Sequence, residues 1–274
     1  MPLFSIITTC YNAADCIQAT IESVLQQDFR DFEYIIMDGL STDDTLQIAS
    51  SFMDAFSDVG ISFHIFSEKD NGIYQGMNHG ILHAHGNYIN FMNAGDCLYE
   101  KDTLSNIADH LRNTDTSQIP DVIYGDAVSI EFGQRYKYIK DISVIERRMP
   151  FSHQSVFASR ELLLKYPLKE NMKICSDYDF LLTAYKSNAK FADSDVTVCT
   201  VTLDGLSSYD LLHAFEETTA VQRAHGIDHF PGKAYNKKIK SYRIKQFVMD
   251  HFPKFIIKSI RKIQRIQRGQ NEHC

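Results

Sequence analysis

Four short β-rich runs, FSIITTC, EYIIM, ISFHIF and NYINFM, are separated by segments whose apolar residues recur at helical spacing. Ile17, Ile21, Val24 and Leu25 follow the first run, Ala49, Phe52, Met53 and Phe56 the second, and Ile73, Met77, Ile81 and Ala84 the third. Strands and helices alternating through short connections predict parallel strands, right-handed crossovers and helices on both faces of one sheet. Asn12, with Asp15 three positions on, has the form of an N-cap with an acidic first turn.

Beyond NYINFM the pattern changes. Residues 101–112 read as a helix and DVIYGD as a short strand, whereas VSIEFGQRYKYI reads as a hairpin. Strands are expected around Gln154 to Ala158 and Val196 to Val201, with helices around Asp179 to Lys186 and Tyr209 to Arg223. The expected class is therefore α/β, a Rossmann-like and mostly parallel sheet followed by a mixed half. Pro231-Gly232 divides a body of residues 1–232, its halves meeting near 125/126, from a tail of residues 233–274. In that tail Pro253 should break a helix, and Ile256, Ile260, Ile263 and Ile266 form an apolar stripe among Lys and Arg.

At 274 residues and 44% apolar content the chain can bury a full core. No run of about 18 apolar residues is present and MPLFSIITTC enters a strand without a basic leader, so neither a membrane span nor a signal peptide is expected. The expectation is a cytoplasmic protein. Its net charge of −7 hides an asymmetry, because Lys233, Lys237, Lys238, Lys240, Arg243 and Lys245 open a strongly basic tail on an acidic body. Such a body argues against a nucleic-acid partner, while the tail suits an anionic membrane surface or an acidic partner. The six cysteines form no C-x-x-C pair and no zinc spacing, and they read as packing residues.

The ends of the strands carry the polar residues. In an open α/β sheet ligands sit in the crevice outside those ends. Thr8, Tyr11 and Asn12 leave the first strand, where a ring could stack on a base; Asp38 leaves the second, where a carboxylate could accept hydrogen bonds from a ribose or base edge. A surface tyrosine and an Asp-Gly turn would use the same residues. Asp96 leaves the fourth strand beside Gly95, and a lone carboxylate there can bind a hard divalent cation while leaving coordination sites for diphosphate oxygens. A capping Asp in the turn N-A-G-D is the alternative, and the position after the fourth strand favours the cation. Asp177 and Asp179, in CSDYDF, open a helix whose dipole favours ionised carboxylates, as a general base requires; Ser176 or Asp177 as a simple N-cap would give the same pattern. His79 and His83 are spaced for a metal pair but lack the H-E-x-x-H carboxylate. His153-Gln154 precedes a strand in the second half and reads equally as core or as ligand.

The motifs SIITTCYN, IIMDGLSTDDT, SEKDNGIYQGMNHGI, GNYINFMNAGD, HQSVF and ICSDYDFLL occur in this order over roughly residues 3–210. At these residues the chain resembles the family 2 inverting glycosyltransferases of GT-A fold, and among them small bacterial enzymes that build O-antigen or capsule repeat units. The resemblance implies a nucleotide-sugar-binding half over about 1–125 and an acceptor half over 126–232. It implies that Thr8, Tyr11, Asn12, Asp38, Ser41, the segment Lys69, Asp70, Asn71 and Gly72, and Asn93 and Gly95 hold the donor nucleotide. Asp96 falls on the family's metal-binding Asp, for Mn²⁺ or Mg²⁺, and Asp177 on its catalytic base. His153 and Gln154 fall near the site, and Asp179 stands beside the base as a further candidate. The chain departs from the family twice, with one carboxylate in Asn93-Ala94-Gly95-Asp96 and Ser176 in place of the acid before the base. The implied substrates are a sugar nucleotide, by default a UDP-sugar, and a saccharide acceptor carried on a lipid. The basic tail of residues 233–274 would then hold the protein at the inner face of the plasma membrane. A dehydrogenase is disfavoured because no G-x-G-x-x-G follows the first strand, and a nucleotidyltransferase, which would share the α/β scaffold, because CYNAAD is neither Gly- nor Arg-rich. A scaffold that binds a sugar nucleotide or a partner transferase without turnover is the alternative reading.

Overall fold

The computed structural model describes residues 1–131, 134–138, 140–202 and 209–251. The sheet starts with β1 (Phe4–Cys10), and every residue of β1 and of β2 (Phe32–Asp38) is buried, as central parallel strands require. Phe4 pairs with Phe32 and Cys10 with Asp38, so the two strands end level. β3 (Ser62–Ser67) joins the far side of β2 with Ser67 opposite Asp38, and β4 (Tyr88–Phe91) joins the other side of β1. β4 stops opposite Ile7, so Met92 to Asp96 cross the ends of the neighbouring strands, tied by Met92 N–H to Ile7 O.

The second half is mixed, as its sequence pattern predicts. β8 (Val156–Ser159) runs antiparallel to β4 and to β6 (Val122–Glu131), while β9 (Phe191–Val201) runs parallel to β6 and carries the two-residue β5 (Cys97–Leu98) on its outer edge. The order is β3-β2-β1-β4-β8-β6-β9-β5, with β7 (Gln134–Tyr138) paired to β6 as the expected hairpin. Two strands are longer than the sequence suggests: β6 continues without a break from DVIYGD into the hairpin, and β9 starts at Phe191 rather than Val196.

Side-chain alternation splits the core into two layers. Phe4 and Ile6 face α1 (Ile17–Leu25) and α5 (Thr103–Arg112), whereas Ile7 faces α4 (Ile73–His83) and α7 (Ser176–Lys186). Between β2 and β3 the single expected helix is two, α2 (Thr45–Ser50) and α3 (Met53–Asp58). Asn12 is not the cap of α1. The helix begins after Cys16, and Asn12 sits in a left-handed conformation (φ 49°) with its side chain turned to Thr42.

α6 (Arg160–Lys165) follows β8, and beyond β9 α8 (Leu211–Ala224) packs on α7. α9 (Lys233–His251) lies along α8 through stacking of Tyr242 on Phe215 and the bond from Leu211 N–H to Gln246 Oε1. The expected break at Pro253 and the isoleucine stripe beyond it lie outside the described residues. Among the described residues no helix is long and apolar enough to cross a membrane.

Candidate active site

The carboxyl ends of β1, β2 and β3 are laced together by the loops that leave them. Asn12 N–H donates to Ser41 Oγ (2.8 Å), Thr42 N–H to Asn12 Oδ1 (2.8 Å), and Ala13 N–H to Thr45 Oγ1 (2.7 Å). Asp38 is buried under this lacing, where its Oδ2 accepts from Ser41 N–H (3.0 Å) and Ser67 Oγ (2.7 Å) and its Oδ1 lies 3.8 Å from the Cys10 thiol. Burial first, and then Asp38, push the Cys10 thiol far up, which keeps it protonated and inert. Tyr11 stands on the rim, 63% exposed. On the far wall the Asp70 carboxylate fills the space where side chains on Gly39 and Gly76 would be: a Cβ would lie 2.8 Å from its Oδ2 at the first and 3.2 Å at the second. Asp70 Oδ1 also accepts from Gly72 N–H, while Lys69 and Asn71 are exposed beside it.

Asp96 follows Gly95, whose φ of 96° turns the chain sharply after β4. It is buried, and both its oxygens are held: Oδ2 accepts from Gln154 Nε2 (2.7 Å) and Oδ1 from Thr202 N–H (2.8 Å). Desolvation raises its pKa, and the bonds from Thr202 and Gln154 and the nearby His153 only partly offset that rise. Among the described residues no three His, Cys, Asp or Glu side chains are grouped to hold a metal. A lone carboxylate of this kind could serve a cation only as one ligand, with a bound diphosphate supplying others, and its bonds to Gln154 and Thr202 would share its oxygens with the ion.

Asp177 enters from the first turn of α7. Its Oδ1 accepts from the buried Tyr74 hydroxyl (3.2 Å) and from Tyr178 N–H (2.8 Å), and its Oδ2 lies 3.1 Å from His153 Nδ1. His153 Nε2 is in turn 3.0 Å from Asn93 Nδ2, and Asn93 Oδ1 accepts from Thr9 Oγ1 (3.0 Å). Burial pushes the His153 pKa down, but the Asp177 carboxylate and the charge of Asp96 outweigh it, and the net shift is upward. Burial and the adjacent Asp177 push the Tyr74 phenol well up, so it remains a donor. His153-Gln154 thus touches both carboxylates, Asp177 through one residue and Asp96 through the next.

A family model for glycosyl transferase family 2 matches residues 5–173. The chain belongs to that family. It is a glycosyltransferase of GT-A fold. A PGL/p-HBAD biosynthesis glycosyltransferase of Mycobacterium bovis is 32% identical over 189 residues, which cover 69% of this chain and 72% of that protein. Among solved structures, S. aureus TarS in complex with UDP-GlcNAc superposes with a TM-score of 0.65 at 20% identity, covering 90% of this chain and 73% of the other. The mannosyltransferase PcManGT from Pyrobaculum calidifontis, in complex with GDP-Man and Mn²⁺, gives 0.63 at 16% identity, covering 87% and 68%.

Two residues expected in this glycosyltransferase's site lie elsewhere. Thr8 is fully buried with its hydroxyl between Tyr34 Oη (2.9 Å) and Met92 O (2.7 Å), so it braces the strand and does not face the crevice. Asp179 is two positions from Asp177, about 200° around the helix, and points to the opposite side. There its Oδ1 meets Lys169 Nζ (2.9 Å) and His225 Nε2 (3.2 Å). His79 and His83 form no metal pair, since His79 lies 2.8 Å from Glu68 and His83 stacks on Phe66. Tyr74, Thr9 and Thr202 bond to the expected site residues without being among them, whereas Asp70 falls within the expected Lys69 to Gly72 segment. Tyr74 was detectable, because it follows the Asp70-Asn71-Gly72 loop by two positions; nothing local marks Thr202.

Proposed function

We propose that the chain transfers a sugar from a nucleotide-sugar donor, a UDP-sugar by default, to a hydroxyl of a saccharide acceptor by single displacement with inversion. What carries this reading is that Asp96 and Asp177, 81 positions apart in the chain, each contact one residue of the same short turn, Gln154 and His153. In this reading Tyr11 stacks on the base, and Asp38, buried beneath it, holds Ser41 N–H and Ser67 so that the loop meets the base or ribose edge. Asn12, Ser41, Lys69, Asn71 and Gly72 line the donor pocket, with Asn93 and Gly95 near the diphosphate. Asp96 would hold a divalent cation, Mn²⁺ or Mg²⁺, which when bound offsets negative charge on the departing nucleoside diphosphate. Asp177 takes the proton of the acceptor hydroxyl as its oxygen attacks the anomeric carbon from the face opposite the leaving group.

The M. bovis relative's name places it in PGL/p-HBAD biosynthesis, which supports a role in bacterial surface glycolipid or polysaccharide assembly with a lipid-linked acceptor; TarS, crystallised with UDP-GlcNAc, supports the UDP-sugar default alone. α9 supports a peripheral position at the cytoplasmic face of the plasma membrane. It exposes Ile244 and Phe247 among Lys237, Lys240 and Arg243, and each well-placed basic residue contributes about 1 kcal/mol at an anionic surface. Sedimentation with phosphatidylglycerol vesicles, but not with phosphatidylcholine vesicles, is expected; equal partitioning with both removes the membrane assignment.

The donor is tested by thermal shift with UDP, GDP and dTDP and their sugars, each with and without Mn²⁺. One base should stabilise the protein, and more strongly with Mn²⁺. Absence of a shift with every nucleotide would sink the proposal.

A further inference from the structure

We infer that His153-Gln154 is a positioning bridge in which His153 orients Asp177 for proton abstraction and Gln154 orients Asp96 for the donor diphosphate, so that one short turn sets both ends of the reaction. This rests on the roles given above to Asp96 and Asp177.

The turn is fastened from below. His153–Ser155 forms a single 3₁₀ turn, Ser155 Oγ closes it onto Ser152 O (2.8 Å), and Asn90 Nδ2 on β4 donates to both Gln154 O (2.8 Å) and Val156 O (2.9 Å). Asn90 is fully buried, so the turn is pinned to the central sheet through a side chain that cannot easily leave. Each outgoing side chain is then aimed by a second partner. Ser152 Oγ donates to Gln154 Oε1 (2.5 Å), which leaves the Gln154 amide nitrogen facing Asp96.

For His153 the tautomer follows from the chain of donors. Thr9 Oγ1 donates to Asn93 Oδ1, so Asn93 presents its Nδ2 to His153, and His153 Nε2 accepts. The neutral ring then carries its proton on Nδ1, facing Asp177 Oδ2. Tyr74 and Tyr178 N–H occupy the other oxygen. Both oxygens of Asp177 are thereby oriented, and the second lone pair on Oδ2 is left for a substrate proton. Beneath this contact the cavity is lined by Met77, Ile89, Phe91, Phe180 and Leu181, which offer no competing hydrogen bond. Hydrogen bonds of this supporting kind typically affect activity by about 10- to 100-fold.

Two measurements test the bridge. The first needs no substrate: ¹⁵N spectra of histidine-labelled protein, taken at rising pH until the His153 signals stop shifting, should show the neutral ring as the Nδ1–H tautomer, which free histidine disfavours. An Nε2–H ring overturns the assignment. The second compares steady-state parameters, using whichever sugar nucleotide of a UDP-, GDP- and dTDP-sugar panel the wild type turns over fastest. His153→Leu should lower kcat about 10-fold or more with donor KM unchanged, and His153→Asn, which keeps a donor near the Nδ1 position, should recover part of the loss. Gln154→Leu should do the reverse, raising donor KM about 10-fold with kcat little changed. Equal effects of both variants on the same parameter, or none, overturn the division of labour. Asp177→Asn measured alongside separates the two claims: if it is inactive while His153→Leu behaves as wild type, the bridge fails alone, and if it is active the base assignment itself fails.

Discussion

The two sides of the crevice are built differently. On the donor side, the ends of β1, β2 and β3 are joined mainly by backbone N–H groups meeting short side chains on neighbouring loops, as between Asn12, Ser41, Thr42 and Asp38. Each loop supports the next, so the surface resists loss of any one side chain. On the base side, a single carboxylate is held by Tyr74 from α4, His153 from a 3₁₀ turn and a backbone N–H of α7. Here geometry depends on individual side chains from distant parts of the chain. A pocket that recognises a nucleotide can be assembled from backbone N–H groups braced by short side chains. A proton acceptor needs a particular functional group at one point, and no backbone group substitutes for it.

The largest expected effect breaks the base side alone. Asp177→Asn keeps the size of the side chain and removes its basicity, so kcat should fall by at least about two orders of magnitude while stabilisation by the nucleoside diphosphate stays as in the wild type. The matching change on the donor side is milder. Tyr11→Ala removes an exposed ring, so the melting temperature without ligand should not move, and loss of stacking should weaken nucleotide binding by about 1 kcal/mol, roughly fivefold. Measuring kcat, donor KM and melting temperature for both variants gives the contrast directly. If Tyr11→Ala lowered kcat as much as Asp177→Asn, or if Asp177→Asn lost nucleotide stabilisation, the two sides would not be separable.

The same difference explains what could be read from the sequence. The α/β alternation and the levelled ends of β1 to β3 follow from periodicity and strand length, so the donor wall was legible as a set of loop motifs. Asp179 was misplaced because Asp-x-Asp at a helix start says nothing about which residue faces the crevice; that is fixed by the packing of α7 against α8, where Lys169 and His225 claim it. Thr8 was misplaced for a related reason, since the alternation of β1 places it in the same layer as Phe4 and Ile6, against Tyr34. Tyr74 and Thr202 were missed because their partners lie 103 and 106 positions away. Buried Glu33 was equally invisible: it accepts from Ser5 Oγ, His85 N–H and Gly86 N–H and closes the start of β1, although locally it reads as a polar residue at a strand start.

The smallest expected effect sharpens the comparison through pH. His153 faces Asp177 directly and Asp96 at longer range, with neutral Tyr74 and Asn93 completing its surroundings, and its pKa in the folded protein lies above the ordinary imidazole value despite burial. A group whose pKa is raised on folding stabilises most when protonated in both states. Its contribution is therefore complete below about pH 6.5 and is lost as pH rises through the higher folded value. Reversal of the Asn93 amide lets the ring donate from both nitrogens, with Thr9 Oγ1 then accepting. The difference in melting temperature between wild type and His153→Gln should accordingly be larger at about pH 5.5 than at about pH 8.5, by a few degrees at most. Tyr11→Ala, on the donor side, should show no such pH-dependent difference from wild type. A His153→Gln difference that stays flat across this range would mean that the imidazole gains nothing from the two carboxylates, and that Asp177 is held by Tyr74 and the helix backbone alone.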